Sequence, residues 1–182
     1  MADRYNSTIG ATGSLCALSL AKKEFIDTSC DLVFVEYAVN DNGIDSDERM
    51  RTREGLIRKL LAANIDVVLV YTFYQDMFKE VDRGEIPGSI SDFERLAEHY
   101  NIGSVYMANA AYDKVKRGMI SWKMWLPDGT HPQHLGSYFY AEKVIEYLEG
   151  ELLRENAAPI PKAENIPLPL HEWKARILHR WR

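Results

Sequence analysis

Apolar residues follow two patterns along the chain, and the two patterns alternate from one stretch to the next. In the first, apolar and β-branched residues follow one another almost without interruption, over 31–39, 65–73 and 103–108. Strands covered on both faces need apolar side chains at every position, so these stretches predict buried parallel β-strands. In the second, apolar residues recur every three or four positions, which predicts amphipathic helices over 46–64, 91–100 and 134–153.

Strands that alternate with helices are expected to form right-handed βαβ units. We therefore predict an α/β fold, a flavodoxin-like, doubly wound parallel sheet with helices on both faces (an α/β/α sandwich). Such a sheet normally opens with a buried strand, but residues 1–14 are mostly small and polar. The pattern thus predicts a sheet that lacks its first strand, and an unpaired strand edge would favour self-association.

The chain divides by composition into two parts. With 182 residues, of which 46% are hydrophobic, it has the size and apolar content of one globular domain, which we assign to residues 1–155. Residues 156–182 form a proline-rich strap and a basic C-terminal tail. That tail could dock on the domain, pair two chains or begin a further domain.

Charge and hydropathy exclude several classes of function. The formal net charge is −5, which disfavours nucleic acid as a main partner. No apolar run is long enough to predict a membrane span, and the polar N-terminus does not resemble a signal peptide. Cys16 and Cys30 are too few and too far apart for a cysteine zinc site. The compartment stays open.

The segment from Asp128 to Pro132, Asp-Gly-Thr-His-Pro, carries the first candidate chemistry. The three-residue spacing lets the Asp128 carboxylate accept a hydrogen bond from Nδ1–H of His131, which leaves Nε2 to act as a general base. Gly129 permits the tight turn that this contact needs. The same residues also fit an ordinary Asp-Gly turn that precedes a helix.

Asn40 and Asp41 follow the first predicted strand, at the sheet edge where open α/β sheets bind ligands. The Asn40 amide there could donate a hydrogen bond to an oxyanion, although Asn and Asp also form ordinary turns. Residues 6–14 contain small residues whose backbone N–H groups could approach a ligand. Trp122 and Trp125 precede the Asp128 turn and could stack on a sugar ring or pack beneath the loop.

Taken in order, these segments resemble the SGNH (GDSL-like) hydrolase family from about Asn6 to Leu148. Residues 6–14 resemble the family's second block, 38–41 the Gly-x-Asn-Asp block, and 128–131 the Asp-x-x-His block. The resemblance implies a serine esterase that needs no metal or organic cofactor. The residues that it implies are a catalytic base and its orienting acid (His131, Asp128), oxyanion donors (Ala11, Asn40) and supporting positions (Gly10, Asp41, Gly129).

The family's Gly-Asp-Ser block, which supplies the nucleophile, has no counterpart in this sequence. None of the serines at 7, 14, 19 and 29 ends an apolar strand, and Ser14 is the nearest substitute. We therefore predict a chain that begins before or within the second block and is nearly inert as an esterase. Alanine stands at 11 and 38 where the family has glycine.

The resemblance implies a short-chain acyl ester or an acetylated carbohydrate as substrate, and family members are often exported. Three alternatives remain open. The chain could be a non-catalytic binding module with the SGNH fold, or a glycosidase using Glu36 and Asp41. It could also be a metal hydrolase, whose ligands would be Asp41, Asp128, His131 and His134.

Overall fold

A computed structural model describes residues 10–154 and 163–173. Predictions that concern residues 1–9, 155–162 and 174–182 lie outside the described residues. They include most of the proline-rich strap, the basic end of the tail, and the first part of the block at 6–14.

The described residues form a three-stranded parallel sheet in the order β1-β2-β3. The strands are β1 (Leu32–Val35), β2 (Asp66–Val70) and β3 (Gly103–Val105). Val33 pairs with Val67, and Val70 pairs with Val105. Each strand is shorter than its apolar stretch, because the apolar residues beyond the strand ends are buried in loops rather than in the ladder; Phe73 is an example.

Seven α-helices accompany the sheet in the described part of the chain, and they are numbered here in chain order. They are α1 (Ser14–Ala21), α2 (Ser46–Ala62), α3 (Phe78–Val81), α4 (Gly88–Tyr100), α5 (Ala108–Lys116), α6 (Trp122–Trp125) and α7 (His134–Leu152). A π-helical turn, Lys22–Ile26, extends α1.

The longer helices pack in two groups. Helix α2 contacts α1, α4 and β2, whereas α7 contacts α5, α6 and β3. One group lies on each face of the sheet, so the predicted α/β/α sandwich is confirmed. Helix α7 packs so closely against β3 that a Cβ atom on Gly103 would overlap the Tyr147 side chain.

Local residues explain where α2 and α4 start and stop. Asp45 caps α2 by accepting hydrogen bonds from the N–H groups of Asp47 and Glu48. Helix α4 ends at Asn101, whose left-handed backbone (φ 52°) is a common way to terminate a helix. It begins at Gly88, three residues earlier than predicted, directly after Pro87, which fits the first residues of a helix.

An aromatic cluster forms the part of the core that supports the end of the sheet. Phe78 stacks on Phe73 with ring centroids 4.8 Å apart and on Tyr112 at 4.0 Å. Trp125, which is fully buried, packs edge-on against Phe78. The turn that carries Asp128 and His131 follows directly from Trp125, so this cluster forms its base.

Strand β1 is covered on one face only. Val33 and Val35 are buried, whereas Leu32 and Phe34 are 38% and 41% exposed. Phe34 pairs with Val68, and Val68 pairs with Gly103, so Phe34 lies on the α7 face of the sheet. Within residues 10–154 and 163–173, no strand pairs with the outer edge of β1.

Residues 163–173, which include part of the proline-rich strap, dock on α2 and α4. Leu168 and Trp173 are buried, and the Glu54 carboxylate accepts hydrogen bonds from the Tyr100 hydroxyl and the Leu168 N–H. None of the helices in the described part of the chain is long and apolar enough to cross a membrane.

Candidate active site

Asp128 and His131 form the hydrogen-bonded pair that their spacing predicts. Asp128 Oδ1 accepts from the N–H groups of Thr130 (2.9 Å) and His131 (2.8 Å). Its Oδ2 lies 2.8 Å from His131 Nδ1, so Nδ1–H donates to the carboxylate and Nε2 is left to accept a proton. The left-handed backbone of Gly129 (φ 83°) makes this tight turn possible.

These hydrogen bonds determine the charge of Asp128. The backbone N–H of His131, then its side chain and the Thr130 N–H, hold the pKa of Asp128 well below its usual range. The carboxylate therefore stays charged at neutral pH and can stabilise an imidazolium. Both side chains are largely exposed, at 57% for Asp128 and 79% for His131, so the pair faces solvent.

Contacts with the rest of the molecule hold the Asp128–His131 turn in place. The Gln75 N–H donates to the Gly129 carbonyl at 2.7 Å, and the Gln133 N–H donates to the Trp125 carbonyl at 3.3 Å. At Gly136, a Cβ atom would lie 2.7 Å from the Trp125 ring. The N-terminus of α7 therefore packs directly on Trp125, and a larger residue at 136 would displace the turn.

Asn40 lies at the carboxyl end of the sheet, in the loop after β1. Its Nδ2 donates a hydrogen bond to the Thr12 carbonyl at 2.8 Å. An amide nitrogen carries two N–H groups, so one remains for a ligand oxygen. Asn40 is exposed and therefore accessible.

Ala11, the second expected oxyanion donor, is exposed in a left-handed backbone conformation with φ 57°. That conformation favours glycine and costs a residue with a Cβ atom about 1–2 kcal/mol. This explains why the family resemblance associates the position with glycine. Alanine retains the N–H, but at the cost of this strain. The neighbouring Gly10 is exposed.

Asp41 is fully buried and does not face the ligand side of the loop. Its Oδ1 accepts from the Ser14 N–H (3.0 Å), and its Oδ2 accepts from Arg53 Nε (2.9 Å). Burial lowers the pKa of Arg53, and Asp41 opposes that effect. Asp41 therefore links the start of α1 to the Asn40 loop, and it is unsuited to the metal-ligand and glycosidase roles considered from sequence.

Two residues that the sequence patterns did not single out, Arg53 and Gly13, support this link. Arg53 also donates to the Tyr37 carbonyl (2.9 Å) and to Ser89 Oγ (2.7 Å). A Cβ atom at Gly13 would lie 2.5 Å from Asp41 Oδ1. The arginine falls within the helical pattern of α2, where nothing distinguishes it from a solvent-facing charge. The described residues contain no group of three or more His, Cys, Asp or Glu side chains that could hold a metal ion.

The two tryptophans before the turn differ in exposure. Their rings stack with centroids 5.3 Å apart, but Trp125 is fully buried. Of the two roles predicted for Trp125, stacking on a substrate does not fit its burial, whereas packing beneath the turn does. Trp122 is partly buried against Phe78 and Tyr112, and only this tryptophan presents surface to a ligand.

None of the serines in the described part of the chain forms a hydrogen bond with His131. Ser14 is buried, and its hydroxyl lies 2.7 Å from Thr52 Oγ1, so it is not a substitute nucleophile. Ser19 lies on α1 and donates to the Leu15 carbonyl at 2.9 Å. Ser7 lies outside the described residues.

No family model and no curated protein matches the sequence. Solved structures do match. A two-domain esterase active on acetylated mannans has a TM-score of 0.70 and 27% identity, over 89% of this chain. A catalytic mutant of the acetylxylan esterase Axe2 from Geobacillus stearothermophilus has a TM-score of 0.64 and 18% identity, over 78% of this chain.

A GDSL-like lipase from Parabacteroides merdae, described as putative, has a TM-score of 0.65 and 18% identity, over 78% of this chain. The chain spans only 41% of the mannan-active esterase, 69% of the acetylxylan esterase and 71% of the lipase. The chain therefore shares the α/β fold of these esterases and lipases, which supports its resemblance to the SGNH/GDSL-type hydrolases.

Proposed function

We propose that this chain supplies the base and the oxyanion donors of an SGNH-type carboxylic-ester hydrolase. The observation that carries the proposal is the 2.8 Å contact between His131 Nδ1 and Asp128 Oδ2, which leaves Nε2 of this exposed imidazole to accept a proton. Asn40, at the carboxyl end of β1, lies at the sheet edge where ligands bind in open α/β folds.

The residues suit each step of ester hydrolysis. A hydroxyl nucleophile attacks the ester carbonyl while His131 Nε2 takes its proton, and the charged Asp128 stabilises the imidazolium. The free N–H of the Asn40 amide and the Ala11 N–H hold the oxyanion, and each such donor typically contributes about 10²–10³ in kcat. His131 then protonates the leaving alcohol, and the same base activates water for the second half of the reaction.

The serine nucleophile is the part that this sequence does not supply, since it contains no Gly-Asp-Ser. We therefore expect no stoichiometric burst of 4-nitrophenol when the purified chain meets 4-nitrophenyl acetate. Serine hydrolases without the nucleophile retain about 10³–10⁴-fold over the uncatalysed rate, so slow turnover should persist, with His131 as the base for an attacking water and the oxyanion donors in place.

This slow turnover tests the proposed residues. His131→Ala and Asn40→Ala should each lower it, whereas His134→Ala should not, because His134 is an exposed histidine three positions away that controls for non-specific imidazole catalysis. Circular dichroism checks that each variant is folded. Equal rates for wild type and His131→Ala would contradict the proposal. A stoichiometric burst would show that this sequence does supply a nucleophile.

As substrate we propose an acetylated carbohydrate or another short-chain acyl ester. The similarity to an esterase active on acetylated mannans supports this choice, and so does the partly exposed Trp122 beside the turn. The expected result is that acetylated mannooligosaccharides shift the NMR signals of Trp122 and His131, whereas the deacetylated sugars shift them less.

A non-catalytic binding module is the alternative, and the absence of Gly-Asp-Ser favours it. The coding DNA before the first codon separates the two. An open reading frame that encodes an apolar strand ending in Gly-Asp-Ser supports the hydrolase, whereas an in-frame stop codon supports the binding module.

A further inference from the structure

The two parts of the proposed site lie on separate loops. Residues 36–42, after β1, carry Asn40, and residues 126–131, before α7, carry the Asp128–His131 pair. Within the described residues, no hydrogen bond joins these two loops directly. A donor and a base that act on one substrate nevertheless need a fixed separation.

A third segment, residues 72–75 after β2, contacts both loops. On one side, Glu36 Oε1 accepts from the Thr72 N–H at 3.4 Å, and Asn42 Nδ2 donates to the Tyr74 hydroxyl at 2.9 Å. On the other side, the Gln75 N–H donates to the Gly129 carbonyl at 2.7 Å. Residues 72–75 therefore lie between the two parts of the site.

Glu36 is an unusual residue at this position. It follows β1 directly, and the same Oε1 also accepts from the Ala38 N–H at 2.9 Å, so one carboxylate oxygen joins the ends of β1 and β2. Burial raises the pKa of Glu36, and the hydrogen bonds from Thr72 and Ala38 oppose that rise. Burying the Glu36 carboxylate costs desolvation free energy, and its hydrogen bonds to backbone N–H groups offset that cost.

We propose that residues 72–75 set the position of the Asn40 amide relative to the His131 imidazole, with Glu36 and Tyr74 as positioning residues. The consequence for ester hydrolysis rests on the proposed function, whereas the structural coupling between the loops does not. Glu36 holds the Asn40 loop to the start of the segment, Tyr74 holds it at the centre, and Gln75 holds the Asp128–His131 turn.

Tyr74→Phe tests the centre of the segment, since it removes one hydroxyl and keeps the ring. We expect the Gln75 amide to exchange with solvent at least about tenfold faster, because local opening then releases its bond to Gly129. We also expect the side-chain amide signals of Asn40 and the ring signals of His131 to shift. Tyr138→Phe is the matched control, because Tyr138 is 61% exposed on α7.

Two substitutions at Glu36 test the other positioning residue. Glu36→Ala removes the acceptor, so the signals of Asn40 and His131 should shift as in Tyr74→Phe. Glu36→Gln retains an oxygen that accepts both N–H groups and should restore the wild-type signals. A purely stabilising role would lower the melting temperature of the alanine variant while leaving the His131 ring signals of the folded protein at wild-type positions. That result would overturn the proposal.

The esterase assay keeps this inference separate from the proposed function. If the His131 signals shift in Tyr74→Phe but wild-type turnover does not depend on His131, the coupling stands and the hydrolase function fails. If turnover depends on His131 but neither Tyr74→Phe nor Glu36→Ala shifts the His131 or Asn40 signals, the hydrolase function stands and the coupling fails.

Discussion

At the scale of single residues, Asp128 shows how a short segment can define its own chemistry. Three donors from two nearby residues, Thr130 and His131, converge on one carboxylate, so its low pKa needs little help from the rest of the protein. Arg53 and Asp41 show the opposite case. They form a buried ion pair across 12 positions, and each depends on the other.

Asp128 should titrate below the value of about 3.9 that is usual for aspartate, as measured by ¹³C NMR of its carboxyl group. Because the folded-state pKa is lowered, its contribution to stability is present above the unfolded-state pKa. That contribution is lost as the pH falls through the folded-state pKa. In His131→Ala the pKa should rise only in part, since the backbone N–H groups remain. A full return of the pKa to its unfolded-state value would show that the backbone N–H groups are not the largest cause of the lowered pKa.

Replacing Arg53 with Met should destabilise the protein by about 3–5 kcal/mol, because Asp41 is then buried without a partner. Urea unfolding followed by circular dichroism measures the change. Arg83→Met is the control, since Arg83 pairs with Glu85 at the surface, and its loss should leave the unfolding free energy almost unchanged. A similar small effect for Arg53→Met would show that the buried pair contributes little.

At the scale of elements, the segment 163–173 behaves as part of the domain. The Arg58 guanidinium donates to the Asn165 carbonyl, and the Asn165 side-chain amide donates to the Arg58 carbonyl. Trp173 Nε1 donates to the Leu168 carbonyl at 3.2 Å. The segment thus covers the groove between α2 and α4. Its composition indicated an extended strap, but not the surface against which it packs.

Trp173→Ala should lower the free energy of unfolding by about 3 kcal/mol or more, because a buried ring leaves a cavity. The matched control is Leu170→Ala, three residues earlier in the same segment, where the side chain is 68% exposed and the cost should be under about 0.5 kcal/mol. Equal effects in urea unfolding would mean that the segment does not dock on the domain in solution.

At the scale of the whole molecule, the partly covered sheet is the main feature. Leu32 and Phe34 present apolar surface beside an edge of β1 that has no partner strand among the described residues. An unpaired strand edge presents free N–H and C=O groups that can pair with another strand, and β1 carries no charged or proline residue to oppose this. The described domain therefore presents a surface suited to a further strand or to a second copy.

We expect the purified chain to self-associate as its concentration rises, as measured by sedimentation velocity. Phe34→Lys should reduce this association, because a charge on the exposed face opposes strand addition. Leu170→Lys introduces the same charged residue at an exposed position of the docked segment and should leave the association unchanged. A chain that stays monomeric at every concentration would show that this edge does not pair.

The sequence by itself determined the features that depend on neighbours in the chain. The α/β class followed from the alternating patterns, and the contact between Asp128 and His131 followed from a three-residue turn. The tertiary structure alone decided the features that join distant segments. They include the burial of Trp125, the Asp41–Arg53 pair, and the place of residues 72–75 between the two loops. Local spacing fixes which atoms can meet within a turn, whereas burial and long-range contacts depend on how separate elements pack.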